Sequence, residues 1–552
     1  MVNLLIKTPR VLALLVTLST ITTVQAQRSV SGIPFSRTFR TTDYKAGLQN
    51  WDITQDDRGF LYVANNFGLL EFDGTGWQTF GISSGTKVRC VAIDGRGRIY
   101  AGAQGDFGYF FPDAKGRLAY TSLADKLDPS IRNFDETWNV YVDGNMVYFC
   151  TFSRIYRYDG NRFTTTDSGD PLGLSFLVNR KLYVTHPAGI STLNNNTLVP
   201  LPGTSGFERN DISSILPAGT DALLISTYRH GIFRYSAGTL TPWNEAQQLL
   251  FSEASINCLI RLRDGRYAAG TQNNGLYILS PEGEPLINLT QGRGLENRTI
   301  LTLHEDNRGN LWLGQNSIIT MVELSSPFSF INETIGLPGT GYAAHSEGDL
   351  LYLATNNGVY VNDADGKFMP VANSSGQSYH IGRYGPSLLL GHHNGAHVLN
   401  GMTALPMSAE PGSWTFLPVH NGQKLLEGTY SGLQVYRNDD GKWTFMRKLD
   451  GFNESARLMG MDPEGSLWVT HGYKGAYQIR LNATADSIRS VKHYGAENGF
   501  PSNRLINVFR VGGTDLFTSE AGVFRFDHQQ DAFIRDELFT RQLGPQAQVW
   551  YI

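Results

Sequence analysis

A short sequence pattern recurs along this chain at intervals of about 40 residues, and it constrains the fold more than any other feature. The pattern is Asp-x-x-Gly, then a short apolar run that often holds Trp or Tyr, then a small residue. Its clearest copies are residues 56–64, 94–102, 306–314 and 462–470. Asp bonds its own backbone and Gly adopts positive φ, so Asp-x-x-Gly predicts a tight turn between two strands.

Seven weaker copies keep only the second half of the pattern, a polar turn that closes in a glycine, and one more unit, 146–158, has Ser153 in place of that glycine, which makes twelve units. Within two runs the closing glycines are about 37 to 47 residues apart, the range of a four-stranded propeller blade. They are Gly189, Gly231 and Gly275 in the first run, and Gly358, Gly395, Gly432, Gly475 and Gly522 in the second. The composition agrees, because 60 glycines, 12% aromatic and only 17% charged residues suit a β protein with many turns.

The chain is therefore predicted to be all-β, with tandem β-propellers of four-stranded blades. Pro34-Phe35-Ser36 and Pro327-Phe328-Ser329 are two similar openings, and they indicate a seven-bladed propeller over 27–325 and a second one over 326–552. The seventh unit lacks a fourth strand of its own, which we expect residues 35–39 to supply. The second propeller is predicted to be C-terminally incomplete, with about five blades and one further strand at 548–552.

The N-terminus predicts export. Residues 1–26 resemble a signal peptide, because Lys7 and Arg10 precede a short apolar stretch and Val24-Gln25-Ala26 offers small residues for cleavage. The stretch is shorter than the roughly 20 residues of a membrane-spanning helix; an uncleaved anchor is the alternative. We expect a periplasmic mature chain without a membrane span of its own.

Charge and cysteine content exclude two classes of protein. The formal net charge is −4 and no Lys/Arg cluster is present, so we expect no nucleic acid partner. Three cysteines without a C-x-x-C pair give no disulfide framework.

These repeats, together with the run 326–333 and the following Gly336-Leu337-Pro338-Gly339-Thr340-Gly341-Tyr342, resemble the two-component-regulator propeller family over nearly the whole mature chain. The resemblance implies a periplasmic double propeller that senses carbohydrate and continues into a triple-tyrosine domain and a membrane helix. Beyond the membrane, it implies a histidine kinase or a helix-turn-helix transcription regulator, and a ligand that alters how two receptors pair as a homodimer. This chain has no triple-tyrosine domain after its twelfth unit, so the receptor looks truncated and the output domain stays open.

In a propeller, the loops between strands two and three and the entries to strand one converge on one mouth of the central channel. Side chains there that turns do not demand are the candidates for binding a small molecule or an oligosaccharide, since they combine hydrogen bonding with stacking faces. They are Trp138, Tyr228, Arg229, His230, His392, His393, Tyr430, His471 and Tyr473. Ordinary turn roles, and a core role for Trp138, are the alternative interpretations.

No motif supports catalysis, a metal site or a cofactor. Gly81-Ile82-Ser83-Ser84-Gly85 has the nucleophile-elbow spacing but lies between blades instead of between a strand and a helix. A different class of function, an exported lyase or hydrolase acting on carbohydrate or a cyclic peptide, would need an acid/base pair at one mouth. Its only candidates are His230, His392 and His471. A secreted protein-binding scaffold is a third alternative.

Overall fold

A computed structural model describes residues 32–209, 211–363 and 366–552. The predicted signal peptide, 1–26, lies outside the described residues. The described part divides into two compact units, Ser31–Ile335 and Gly336–Ile552. The first unit is built from seven sheets and the second from five, each with four antiparallel strands, and one sheet of the first unit carries a short fifth strand; this confirms the predicted tandem propellers. We number these sheets as blades 1 to 12.

The first three blades follow the chain from the innermost to the outermost strand. Blade 1 comprises Asn50–Gln55, Leu61–Asn65, Gly68–Phe72 and Trp77–Phe80. Blade 2 comprises Val88–Ile93, Ile99–Ala103, Asp106–Pro112 and Leu118–Ser122. Blade 3 comprises Thr137–Asp143, Met146–Thr151, Arg154–Tyr158 and Phe163–Asp167.

Blades 4 to 6 repeat this order, and blade 6 carries a short fifth strand. Blade 4 comprises Ser175–Val178, Lys181–His186, Gly189–Asn194 and Thr197–Pro200. Blade 5 comprises Ile212–Pro217, Ala222–Thr227, Ile232–Ser236 and Thr239–Pro242. Blade 6 comprises Ile256–Arg261, Tyr267–Thr271, Leu276–Leu279, Pro285–Gln291 and Gly294–Leu295.

Blade 7 combines both ends of its unit. Its three inner strands are Ile300–Glu305, Leu311–Gln315 and Ile318–Val322, and its outer strand is the N-terminal Ser36–Arg40. The predicted closing strand is therefore present, one residue later than the expected 35–39. The innermost strands of blades 1 to 7 lie beside one another in chain order, and that of blade 7 lies beside that of blade 1. The seven blades thus form a closed ring.

The second unit repeats the four-stranded plan in blades 8 to 12, whose innermost strands again lie side by side in chain order. Blade 8 comprises Gly341–Glu347, Leu350–Thr355, Gly358–Asn362 and Phe368–Pro370, and blade 9 comprises Ser378–Tyr384, Ser387–His392, Gly395–Asn400 and Thr403–Pro406. Blade 10 comprises Thr415–Val419, Lys424–Thr429, Gly432–Asp439 and Lys442–Lys448. Blade 11 comprises Leu458–Met461, Ser466–His471, Gly475–Leu481 and Ile488–Tyr494, and blade 12 comprises Asn507–Val511, Thr514–Ser519, Gly522–Asp527 and Ala532–Arg535.

The remaining elements are short. Ile33–Pro34 pairs with Ser329–Phe330, and the helices are Thr41–Tyr44, Gln248–Ala254 and Glu537–Leu543 with 3-10 turns at Ala124–Lys126, Glu245–Gln247, Glu333–Ile335 and Ala496–Asn498. Among the residues that the structure describes, no helix is both long enough and apolar enough to cross a membrane.

The predicted extra strand at 548–552 is not assigned as a strand. It nevertheless runs beside the innermost strand of blade 12, where Asn507 Nδ2 donates to the carbonyl of Trp550 at 3.0 Å and the rings of Phe509 and Tyr551 are 4.6 Å apart.

The recurring Asp-x-x-Gly-x-Leu-Trp pattern is explained by one aspartate that holds a whole hairpin. Asp306 Oδ1 accepts the backbone N–H groups of Arg308 and Asn310, both at 2.9 Å, and its Oδ2 accepts the indole N–H of Trp312 at 2.9 Å. Gly309 takes φ of 80°, which a side chain would disfavour. The aspartate thus fixes the turn and the tryptophan together, which is why these residue types recur in the repeat.

Candidate functional site

Eight innermost strands share an irregularity at their second residue, where pairing with the next strand skips one position. Such a β-bulge re-aims the skipped side chain, and bulges are common beside functional sites. The skipped residues are Trp51, Arg89, Trp138, Ser213, Asn257 and Leu301 in the first unit, and Tyr342 and Tyr379 in the second.

In the first unit, all six bulged residues line one cavity of about 910 Å³. The loops between strands two and three add Tyr228, Gln272 and Asn273 to its lining. The entries to strand one and these loops therefore meet at a single concave surface that is both polar and apolar.

A stack of flat side chains occupies one side of this cavity. The guanidinium carbon of Arg89 lies 3.7 Å from the ring centroid of Trp51 and 4.6 Å from that of Trp138. The other face of Trp138 is stacked on Phe152, with ring centroids 4.9 Å apart and an interplanar angle of 12°. Cation–π contact with two indoles holds Arg89 in place and fixes the spacing of the indoles.

An ion pair with Glu136 also fixes the position of Arg89 in this stack. Arg89 Nε donates to Glu136 Oε2 at 3.0 Å, and Lys87 contacts the other oxygen of Glu136. Burial acts to raise the pKa of Glu136, but the two cations outweigh burial and hold that pKa below its usual value. Glu136 is therefore a carboxylate at neutral pH, and Trp51, Arg89 and Trp138 form a preorganised surface.

A second acid lies in the same cavity. Asp52 accepts the backbone N–H groups of Val91 at 3.0 Å and of Ile53 at 2.9 Å, which ties blade 1 to blade 2. Burial nevertheless raises the pKa of Asp52 to about 6. The cavity thus combines a fixed cation, an acid that titrates just below neutral pH, amides and indoles.

The second unit places aromatic side chains, two of them exposed and two half-buried, at the equivalent positions. Tyr342 and Tyr379 are bulged residues, Trp414 immediately precedes the innermost strand of blade 10, and Tyr430 lies in the loop between strands two and three of that blade. Ring centroids are 5.8 Å apart for Tyr342 and Tyr379, 4.2 Å for Tyr379 and Trp414, and 5.4 Å for Trp414 and Tyr430. We call these four residues the aromatic platform.

Polar contacts hold the platform in one conformation while leaving ring faces accessible. The hydroxyl groups of Tyr379 and Tyr430 are 2.6 Å apart, and Trp414 Nε1 donates to Ser455 Oγ at 2.9 Å. Tyr342 is 52% exposed and Tyr430 is 38% exposed. A contiguous group of aromatic side chains at the surface, unlike a single exposed residue, often marks a binding site.

The predicted site residues separate into distinct places. Trp138 and Tyr228 line the cavity of the first unit, and Tyr430 belongs to the aromatic platform. Arg229 and His230 are exposed and do not line the cavity; His230 Nε2 lies 3.9 Å from Asp211 Oδ1.

The remaining predicted residues lie in blades 9 and 11. His392 is only 2% exposed, and its Nδ1 accepts the backbone N–H of Asn394 at 3.1 Å, so it serves the interior of its blade. Burial lowers the pKa of His392 to about 4. His393 and Tyr473 are exposed, whereas His471 accepts the backbone N–H of Tyr473 at 3.0 Å and lies beside Glu454.

The three histidines that an enzyme would use lie in three different blades. His230, His392 and His471 lie in or just after the second strands of blades 5, 9 and 11, and in the described part of the chain their ring contacts and ion pairs are with other residues. Each of these histidines therefore makes its contacts in or beside its own blade.

The position of the Tyr430 ring can be tested without mutating Tyr430 itself, because Gly412 packs against that ring. A Cβ added at Gly412 would lie 2.0 Å from Tyr430 Cγ, and Gly412 has φ of 79°. Gly422 also has φ of 79°, but nothing lies within 4 Å of its added Cβ. We expect Gly422→Ala to lose about 1–2 kcal/mol of unfolding free energy in urea titration for its left-handed backbone. Gly412→Ala should lose clearly more; equal losses would contradict the described packing of Tyr430.

Comparisons with known proteins agree with this architecture. No protein-family model and no curated protein sequence matches the chain. Among solved structures, the chain is similar to the extracellular domain attributed to the hybrid two-component system BT3049 from B. thetaiotaomicron, with a TM-score of 0.66 and 19% identity over 92% of this chain and 73% of that one. The fold expected from the resemblance to the regulator propellers is thereby confirmed.

Two further matches are weaker. The extracellular domain attributed to the one-component system BT4673 from B. thetaiotaomicron gives a TM-score of 0.42 and 18% identity over 92% of this chain and 73% of that one. A streptogramin B lyase gives a TM-score of 0.41 and 14% identity over 52% of this chain and 97% of that one.

Proposed function

We propose that this chain is the periplasmic, ligand-sensing part of a bacterial signal-transduction receptor, and that its ligand is an oligosaccharide. The single observation that carries the ligand class is the aromatic platform, Tyr342, Tyr379, Trp414 and Tyr430. Sugar rings present apolar C–H faces and a rim of hydroxyl groups, so rigid aromatic faces beside phenolic hydroxyls match both parts of such a ligand.

The cavity of the first unit supports the same class of ligand. Its amides and the phenol of Tyr228 offer hydrogen bonds, the indoles of Trp51 and Trp138 offer flat apolar faces, and contact with Arg89 keeps both indoles in place. Preorganised side chains lose little conformational entropy on binding, which favours affinity for small polar molecules.

The receptor role rests on the fold and on the predicted export signal. A double propeller with a binding surface on its blades is suited to report ligand binding to a partner or to an attached domain. The exported enzyme is disfavoured because two of its candidate acid/base residues are engaged within the second unit: His392 is buried in blade 9, and His471 accepts a backbone N–H beside Glu454. The output domain, a kinase or a transcription regulator, and homodimer formation belong to this proposal as implications of the family resemblance.

The proposal is tested with the full mature chain and a panel of neutral and uronate-containing oligosaccharides, followed by calorimetry. Trp414→Ala should weaken binding of a positive sugar about tenfold or more, since truncating a central aromatic contact in a binding surface costs more than about 1–2 kcal/mol. Trp550, which is also exposed and lies in the same unit, gives the matched control Trp550→Ala, and we expect its affinity to equal that of the wild type.

Two results would contradict the proposal. One is the absence of binding to every sugar of the panel by a correctly folded chain. The other is a sugar whose affinity is equal in Trp414→Ala, Trp550→Ala and wild type, which would remove the platform from the site.

A further inference from the structure

A group of metal-ligating side chains lies where blades 11 and 12 meet, at the end of the blades opposite to the aromatic platform. Asp462 and Glu464 belong to the turn between strands one and two of blade 11, and His528 follows the third strand of blade 12. One ligand atom from each of these residues lies within 4.8 Å of the other two. The three residues line a cavity of about 210 Å³.

The spacing within this group suits a small divalent ion. His528 Nε2 lies 3.4 Å from Glu464 Oε2. Two ligands at about 2.1 Å from a tetrahedral zinc ion are about 3.4 Å apart. The imidazole and the carboxylate could therefore bind the same ion with little rearrangement.

A buried and incompletely paired carboxylate is the independent observation. Asp515 is 8% exposed, and it lines the same cavity as the other three residues. Its Oδ1 accepts a hydrogen bond from Arg510 at 2.9 Å, whereas its Oδ2 is buried without a hydrogen-bond partner. Leaving a buried acceptor unpaired is costly, and a cation in the cavity would remove that cost.

The charge at this turn differs from that of the three other clear copies of the repeat. The third residue of the Asp-x-x-Gly turn is Arg58, Arg96 and Arg308 in three clear copies, and Arg58 forms an ion pair with its own Asp56 at 2.7 Å. In blade 11 the same position holds Glu464, so an acid stands where the other copies carry a cation. Arg525 also lines the cavity but forms no ion pair within the described residues.

Asp462 makes the same hairpin contacts in blade 11 that Asp306 makes in blade 7, and these contacts fix the position of its carboxylate. Asp462 Oδ2 accepts the indole N–H of the buried Trp468 at 3.0 Å, and its Oδ1 accepts the backbone N–H of Ser466 at 2.6 Å. Carboxylate ligands are commonly fixed by such hydrogen bonds, which leave further lone pairs for an ion. We propose that Asp462, Glu464 and His528, with Asp515 beside them, bind a divalent transition-metal ion such as Zn²⁺. An imidazole ligand favours Zn²⁺ over Ca²⁺ or Mg²⁺.

The test uses the tag-free full mature chain, dialysed first against a chelator and then against buffered Zn²⁺, with bound metal measured by elemental analysis. We expect one Zn²⁺ per chain above the unloaded background and a melting temperature that rises on loading, because the ion would link two blades. Glu464→Gln and His528→Gln should weaken binding about tenfold or more. Both side chains are about half exposed, at 50% and 44%, so metal-free variants should melt like the wild type.

A matched control is available in the same unit. His493 Nδ1 and Glu497 Oε1 form a comparable exposed pair at 3.6 Å without the buried carboxylates, so Glu497→Gln should bind Zn²⁺ like the wild type. Absence of bound Zn²⁺ in the wild type would overturn the proposal. Equal Zn²⁺ binding by wild type, Glu464→Gln and Glu497→Gln would overturn it as well, because the ion would then lie elsewhere.

Discussion

Replacing Phe39 by alanine should lower the free energy of unfolding of the first propeller by about 3–5 kcal/mol, the usual loss for a buried phenylalanine. Phe39 lies in the N-terminal outer strand of blade 7, paired with Ile319, and its ring packs on Trp312, Phe72 and Trp77 at centroid distances of 5.8, 5.2 and 5.4 Å. It therefore contributes to the apolar layer between blades 7 and 1 that closes the ring. Urea titration followed by hydrogen exchange would measure both the loss and its location.

The matched control is Phe328→Ala, because Phe328 belongs to the same unit and is 72% exposed. We expect that variant to lie within about 0.5 kcal/mol of the wild type. Amides of Ile318–Val322 should lose protection in Phe39→Ala but not in Phe328→Ala. Unchanged protection of that strand in Phe39→Ala would show that the N-terminal strand does not hold the ring.

The second large effect is expected in the pH dependence of the stability of the second propeller. Glu427 is fully buried in the second strand of blade 10; its Oε2 is hydrogen-bonded by Tyr436, and its Oε1 has no partner. Burial raises the pKa of Glu427 to about 7, although the Tyr436 phenol opposes that shift. Between the ordinary value near 4.5 and pH 7, the folded state holds a proton that the unfolded state has released, so stability falls as the pH rises.

Glu427→Gln replaces the acid by a neutral amide, so it should abolish the loss of stability that accompanies ionisation of Glu427 at higher pH. We expect the variant to exceed the wild type by about 3 kcal/mol at pH 8 and to match it near pH 4.5, as judged by urea titrations across that range. The exposed Glu520 offers the control Glu520→Gln, whose difference from wild type should not depend on pH in this way. A wild-type chain whose stability rises from pH 5 to 8 relative to Glu427→Gln would contradict the assigned ionisation.

Much of the fold could be predicted because the determining interactions are local. One aspartate organises each clear hairpin, so Asp306 and Trp312 mark a blade even in isolation. The closing strand was also predictable, since a blade without a fourth strand and a second opening around Phe328 imply an exchange with the N-terminus. The predicted position of that strand was one residue too early, because its register is set by pairing with the third strand of blade 7, as between Arg37 and Met321.

The candidate site was less predictable because it depends on contacts between blades. Arg89 lies in an apolar run and gives no sign of the two indoles that enclose it. Trp414 and Tyr379 could have been found by comparing strand entries across units, as Trp51 and Trp138 occupy the same position. His392 was proposed as a loop residue, but packing against His397 within its own blade buries it, and spacing alone does not reveal this.

The N-terminal closing strand also affects how the first propeller is made. Arg37 pairs with Met321, which is synthesised roughly 280 residues later. Most of the ring is therefore made before the N-terminal strand can pair with the third strand of blade 7. An open ring with an unpaired strand edge is prone to association with other chains. The unpaired N-terminal segment is also one that a chaperone can bind. Contacts that form this late slow unfolding more than they speed folding. The N-terminal strand therefore contributes to the kinetic stability of the finished propeller. Until that strand has paired, the chain must be protected from association with other chains.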